Sequence, residues 1–393
     1  MRTIISLILL FSLSQSAEVV KLSKQYQSAN NCKVCHRQIV EDWENSWHKK
    51  SHYGNDEYLK KSIDFVAKKT RVGVDIVKVE CAKCHNPRIT KTTISDTDKI
   101  TESLGLNADL QKAVNDKTIA EGINCLVCHN VEAIHQNAPQ NVRGIDRLQW
   151  TKNGLMSGPF SDANSPYHKT QQRDFFTNNP NKLCFVCHAN DHSQTNAKLV
   201  FTNMEKEYKG NQKCVECHMG PKTKGVAATY RMNNLPPKKR MVRHHKFIGA
   251  HTETFWRDAL GLSLKKSGES ILITLTNPQP HNLPTGFGGR EILIEVKYFK
   301  GTKKIAQKLL SLTTHYKRKR GKASIPHTAL KASKNISIPA KGSKTIKVQN
   351  NEEATMVEVN VYYRLVNDEL RRLLNLQEPI WEKKFFITSA TLK

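Results

Sequence analysis

The sequence predicts a two-part fold: a mainly α-helical and irregular region over residues 18–255, then an all-β, sandwich-like region over residues 256–393. Three observations carry this expectation. All ten cysteines fall between Cys32 and Cys217. In that stretch helical patches, residues 101–122 the clearest, alternate with irregular chain. Beyond it the texture changes to short β-rich runs at residues 270–277, 291–300, 343–348, 355–365 and 385–391, separated by Pro, Gly and other turn residues. Residues 367–376 read as a helix inserted between two of these strands.

Composition bounds the rest. The 393 residues suffice for two or three domains, and 62 Lys+Arg against 35 Asp+Glu give a formal charge of +27. An apolar fraction of 38% can build a core, which argues against a disordered chain. Residues 1–17 read as an export signal, with Arg2 at the start, apolar residues 4–13 and the small residues Ser14, Ser16 and Ala17 before the cut. No other apolar run reaches the length of a membrane span. The mature chain is expected outside the cytoplasm, in the periplasm, with association at an outer surface as a further option.

Each cysteine belongs to one five-residue pattern, which occurs five times: Cys32 to His36, Cys81 to His85, Cys125 to His129, Cys184 to His188 and Cys214 to His218. Two thiols three positions apart can add to the two vinyl groups of a haem, and the following histidine then lies over the iron. Structural zinc and disulfides are the competing uses of paired cysteines in an exported chain. Zinc sites join two half-sites and do not require a histidine directly after each second cysteine. The pattern therefore predicts five covalent c-type haems, held by Cys32, Cys35, Cys81, Cys84, Cys125, Cys128, Cys184, Cys187, Cys214 and Cys217. His36, His85, His129, His188 and His218 are the proximal ligands.

Each iron has a second axial position, so eleven further histidines compete for five places: His48, His52, His135, His168, His192, His244, His245, His251, His281, His315 and His327. Nine of them lie between residues 48 and 281, among or just after the motifs. His315 and His327 fall in a basic stretch without cysteine and are expected in solvent. Met219 directly follows His218, where geometry disfavours binding the same iron.

Several words around the motifs resemble a known family. Trp43-Glu-Asn-Ser-Trp-His48, Gly122 to His129 with His135 six residues on, Ser165-Pro-Tyr-His168 and Cys217-His-Met219 are similar to segments of the family of the tetrahaem cytochrome c of ammonia oxidisers. The resemblance spans about residues 30–252, and it implies a multihaem cytochrome c domain in which His48, His135 and His168 bind iron, each reaching a haem other than its neighbour in sequence. Five motifs exceed the four of the simplest members. His244-His245-Lys-Phe-Ile-Gly-Ala-His251 resembles the histidine-rich turn that closes many such domains, and His281-Asn-Leu-Pro-Thr-Gly286 a word found where a β domain follows. A surface basic turn is the alternative for the first of these. The expected distal set is His48, His135, His168, His245 and His251, with His281 in reserve.

Between residues 300 and 350 there are fourteen Lys+Arg and no acidic residue. Export argues against a nucleic-acid partner. The remaining readings are a solvated face, or a docking surface for redox proteins with acidic patches or for an anionic membrane. Two functions stay open. One is an electron carrier with mostly bis-histidine haems and no catalytic residue; the other is an oxidoreductase acting on a small nitrogen or sulfur compound at one open-site haem. Ligand supply favours the carrier, because six candidates for five positions leave little room for an open iron.

Overall fold

The computed structural model describes residues 27–135, 142–152, 154–231, 235–333 and 336–393. The expected export signal, residues 1–17, lies outside the described residues. The first half is built from short helices. Those carrying motifs are brief: Cys125–His129, Asn181–His188 and Cys214–His218 run one or two turns each, while Val74–His85 places its motif at its C-terminal end. Residues 101–122 do not form one helix. Asp96–Ser103 and Ala108–Val114 are separate helices followed by a 3-10 turn at Lys117–Glu121. Gly105, at a φ of 71°, ends the first, and the Asn107 side chain caps the second by accepting from the Leu110 N–H at 3.0 Å.

The second half is β. Strands β1 (Gly261–Ser267), β2 (Ser270–Asn277), β3 (Glu291–Lys300), β4 (Lys303–Leu312), β5 (Gly342–Gln349), β6 (Met356–Arg364) and β7 (Phe385–Leu392) form two antiparallel sheets, ordered β5-β2-β1 and β4-β3-β6-β7. A small three-stranded sheet lies between residues 316 and 332. In β2 the buried residues Ile271, Ile273 and Leu275 alternate with less buried ones. They face one core with Ile292, Ile294 and Val296 of β3 and Val357, Val359 and Val361 of β6. The fold is thus a helical and irregular half followed by a β-rich half. The helix Asp368–Leu374 follows β6, capped by Asn367.

The core crosses between the halves. The helix Glu57–Thr70 places Leu59, Ile63, Val66 and Ala67 on one stripe, and these side chains join the β core. The Glu57 carboxylate accepts from the Gln377 and Glu378 N–H groups at 2.8 and 2.9 Å and from Trp381 Nε1 at 2.7 Å. Strands β4 and β5 are sheet edges, and both are lysine-bearing: Lys303, Lys304 and Lys308 on one, Lys344 and Lys347 on the other. Among the described residues no helix is long and apolar enough to cross a membrane.

Candidate cofactor site

The five motif histidines line one connected cavity of about 1390 Å³ that runs through the helical half to the β half. This exceeds the roughly 300–1,000 Å³ of an ordinary ligand pocket. Several of the rings are fixed by their Nδ1 atoms. His36 Nδ1 lies 2.7 Å from the Ala227 carbonyl, His129 Nδ1 2.6 Å from that of Ser157 and His218 Nδ1 2.7 Å from that of Ile248. A proton on Nδ1 donated to a carbonyl leaves the Nε2 lone pair for a metal. His85 is held differently, with Nδ1 3.1 Å from Ser51 Oγ.

Four motif histidines face a second histidine at nearly constant separation. The ring centroids of His36 and His168 are 6.4 Å apart, those of His48 and His188 6.5 Å, those of His129 and His245 6.3 Å, and those of His218 and His281 6.4 Å. Metal–imidazole bonds of about 2.0–2.1 Å, with each centroid about 1.1 Å behind its nitrogen, place two trans imidazoles roughly 6.3 Å apart. The four gaps therefore fit one metal ion each, sandwiched between two rings. The residues present fit iron held by paired imidazoles, and the apolar cavity fits the porphyrin around it. Among the described residues no three His, Cys, Asp or Glu side chains cluster as a metal-ion site of their own, as structural zinc would require, and the ten thiols are free of disulfides.

Each facing histidine has its own support. The His48 carbonyl accepts from Ile123 N–H at 3.0 Å, and Gly122 makes the approach feasible: at a φ of 61°, a Cβ there would lie 2.5 Å from the His48 oxygen. His245 follows His244, whose Nδ1 is 2.9 Å from Asp42 Oδ2; the same carboxylate accepts from His245 N–H at 3.2 Å. His281 is held through its carbonyl by the Asn277 amide at 2.8 Å, and that amide also donates to the Ile338 and Pro339 carbonyls. His168 Nδ1 lies 3.4 Å from the Lys169 carbonyl.

The expected distal set is rearranged accordingly. His48, His168 and His245 meet motif histidines, and His281, held in reserve on sequence grounds, does so as well. His251 does not: its ring stacks on Trp47 at 3.4 Å and 9°. His135 is exposed and bonds through its backbone N–H to the Arg147 carbonyl. Among the described residues no histidine faces His85 at the spacing of the four pairs. His315 lies beside Glu369 at 3.5 Å. His327 departs from the expectation of solvent. It is packed edge-on against Phe201 at 4.8 Å and lines the cavity. The uncharged run from Ala323 to Leu330 inside a cationic stretch was the signal for that burial. Asp42 and Ser51 left no such signal.

Burial sets the protonation of the rings. It holds His48 and His245 down to about 4 and His188 down to about 3. His85, His129, His168, His218 and His281 are lowered for the same leading reason. Neutral imidazoles at neutral pH are the form that ligates iron.

Residues 31–130 match the family model described as cytochrome c554 and c-prime. No curated protein matches the sequence. Among solved structures, the penta-heme cytochrome c552 from Thermochromatium tepidum aligns with a TM-score of 0.69 at 16% identity, over 93% of this chain and 98% of that one. The chain has the fold of a multihaem c-type cytochrome. Haem c held there would supply iron centres that each take up and release one electron. The protein's part is to hold the rings at fixed distance, to exclude water and to place one motif against the next. Thiols from different motifs are neighbours: Cys32 with Cys125, Cys184 with Cys214, and Cys84 with Cys187.

Proposed function

We propose that the cytochrome is an exported electron-transfer protein carrying five covalent haems, four of them with two histidine ligands, which passes electrons between redox partners with acidic surfaces. The observation that carries this is the set of four histidine pairs at 6.3–6.5 Å. Two imidazoles keep an iron six-coordinate, which suits electron exchange without substrate binding. The neighbouring thiols support two linked groups, motifs one and three and motifs two, four and five, and the influence of Cys128 of the third motif on Cys184 and Cys187 of the fourth supports a route between them. Mass spectrometry of the mature chain is expected to give five haem additions and no free thiol; four or fewer in a fully matured sample would remove a motif from this proposal.

A specific observation favours a second reading beside the first. Among the described residues His85 has no partner ring at ligand spacing, so its iron would be open to a small nitrogen or sulfur compound, with the other four haems supplying or removing electrons. Low-temperature electron paramagnetic resonance of the oxidised protein tests it directly. One high-spin iron among five is expected, and five low-spin irons would leave the carrier reading alone.

A further inference from the structure

Three half-buried groups that share the cavity wall with the second motif take no part in the histidine pairs. Asp191 and Arg143 form an ion pair between the Arg143 guanidinium and Asp191 Oδ1. His327 Nε2 lies 3.8 Å from Asp191 Oδ2, and His327 Nδ1 is buried without a hydrogen-bond partner. All three line the same cavity as Cys81, Cys84 and His85. They are also electrically coupled to the motif: His85, Cys81 and His327 each feel the charges of Asp191 and Arg143, and His327 also feels His85.

The position of His327 is built. It sits on the 3-10 turn Pro326–Thr328 of the β half, and its carbonyl accepts from Gln194 N–H at 2.8 Å. Ser193 Oγ donates to the Ala329 carbonyl at 2.7 Å. With Thr195 and Asn196 as further donors to Ala329 and Leu330, these bonds clasp the turn against the strand Asp191–Ser193 and the residues that follow it. A buried polar atom without a partner costs about 1–3 kcal/mol, so its retention in a cavity wall points to a bound species that uses it. Burial lowers the His327 ring to about 4, so at neutral pH it is an uncharged imidazole with a free lone pair, while the Asp191 carboxylate pulls the other way and favours the protonated ring.

We propose that His327, tethered by Asp191 and Arg143, accepts the proton released when a small protic molecule of the hydroxylamine or hydrogen sulfide kind binds at the His85 iron. The proposal rests on the second reading above, that this iron is open. In the step a molecule H–X gives its proton to His327 and binds as X⁻. No electron moves, and Asp191 stabilises the imidazolium that forms. The β half would then complete the site, contributing the proton acceptor while the helical half contributes the iron ligand.

Cyanide is the probe, because it enters as neutral HCN and binds iron as the anion, so its association needs the same proton transfer. The oxidised, fully haem-loaded chain and its His327→Ala and Asp191→Asn variants would be compared at neutral pH by stopped-flow absorbance and by paramagnetic resonance. The expected result is one high-spin iron in all three proteins, with cyanide association slowed about 10²-fold in His327→Ala and less in Asp191→Asn. An unchanged rate in both variants, with the high-spin signal intact, would overturn the role of His327 while leaving the open iron standing. An unmodified protein without any high-spin signal would overturn the open iron itself, and a high-spin signal appearing only in His327→Ala would identify His327 as a sixth ligand instead. Asp191→Asn preserves the shape of the side chain, so it decides the matter should the alanine variant fail to fold.

Discussion

His244 and His245 are adjacent, equally flanked by cations, and have opposite fates: one ring turns to Asp42, the other to His129. Nothing in the local sequence separates them, because the deciding carboxylate lies 202 residues away. The same holds for His251, whose place in a histidine-rich turn suggests a ligand but whose ring is taken by Trp47. Motif histidines are legible in sequence because each directly follows its own cysteine pair; the histidines that face them are not, because the fold brings them from afar. His281→Ala is therefore expected to convert one low-spin haem to high-spin in low-temperature paramagnetic resonance, whereas His251→Ala should leave every haem low-spin that was so before. Asp42→Ala should loosen His245 and broaden or shift one low-spin signal, since the carboxylate holds both His244 Nδ1 and the His245 N–H.

Elements separate into those whose pattern is self-evident and those that borrow it from context. Strands β2, β3, β5, β6 and β7 were legible because β-branched or aromatic residues cluster in them. Edge strands β1 and β4 were not: Gly-Leu-Ser-Leu-Lys-Lys-Ser and the lysine-rich Lys303–Leu312 bury little and alternate weakly. The run at residues 101–122 misled in the other direction, since its capping residues Asn107 and Asp116 break the helical period. Two element-level outcomes follow. Ile63→Ala, on the helix that enters the β core, should destabilise the protein by about 2–5 kcal/mol in a denaturant titration. Gly144→Ala should impair the second motif. Gly144 has a φ of 57°, and a Cβ there would sit 2.3 Å from the Lys83 carbonyl and 2.9 Å from Cys84 Sγ, so the mature variant is expected to carry one haem fewer by mass.

At the scale of the whole molecule the cysteine-free region is not a passive appendage. It provides His281 to the His218 pair, His327 to the cavity wall, and the core into which Leu59, Ile63 and Val66 pack. The change of texture near residue 256 made the two halves visible in sequence, but their dependence on each other rests on side chains that only the fold brings together. A chain ending at residue 266 keeps all ten cysteines yet loses both histidines, so its spectrum should gain a high-spin haem and its thermal transition should fall. The edges of the two sheets have a different consequence. Strands β1 and β7 lie against each other on one side of the sandwich, which leaves β4 and β5 without a pairing strand on the other among the described residues. Unpaired backbone of this kind is a template for strands from other copies, and a row of lysines is a familiar deterrent, because two such edges repel before they can pair. The cationic stretch between residues 300 and 350 thereby has a consequence that needs no partner: edges that carry its lysines should resist strand-to-strand growth into fibres.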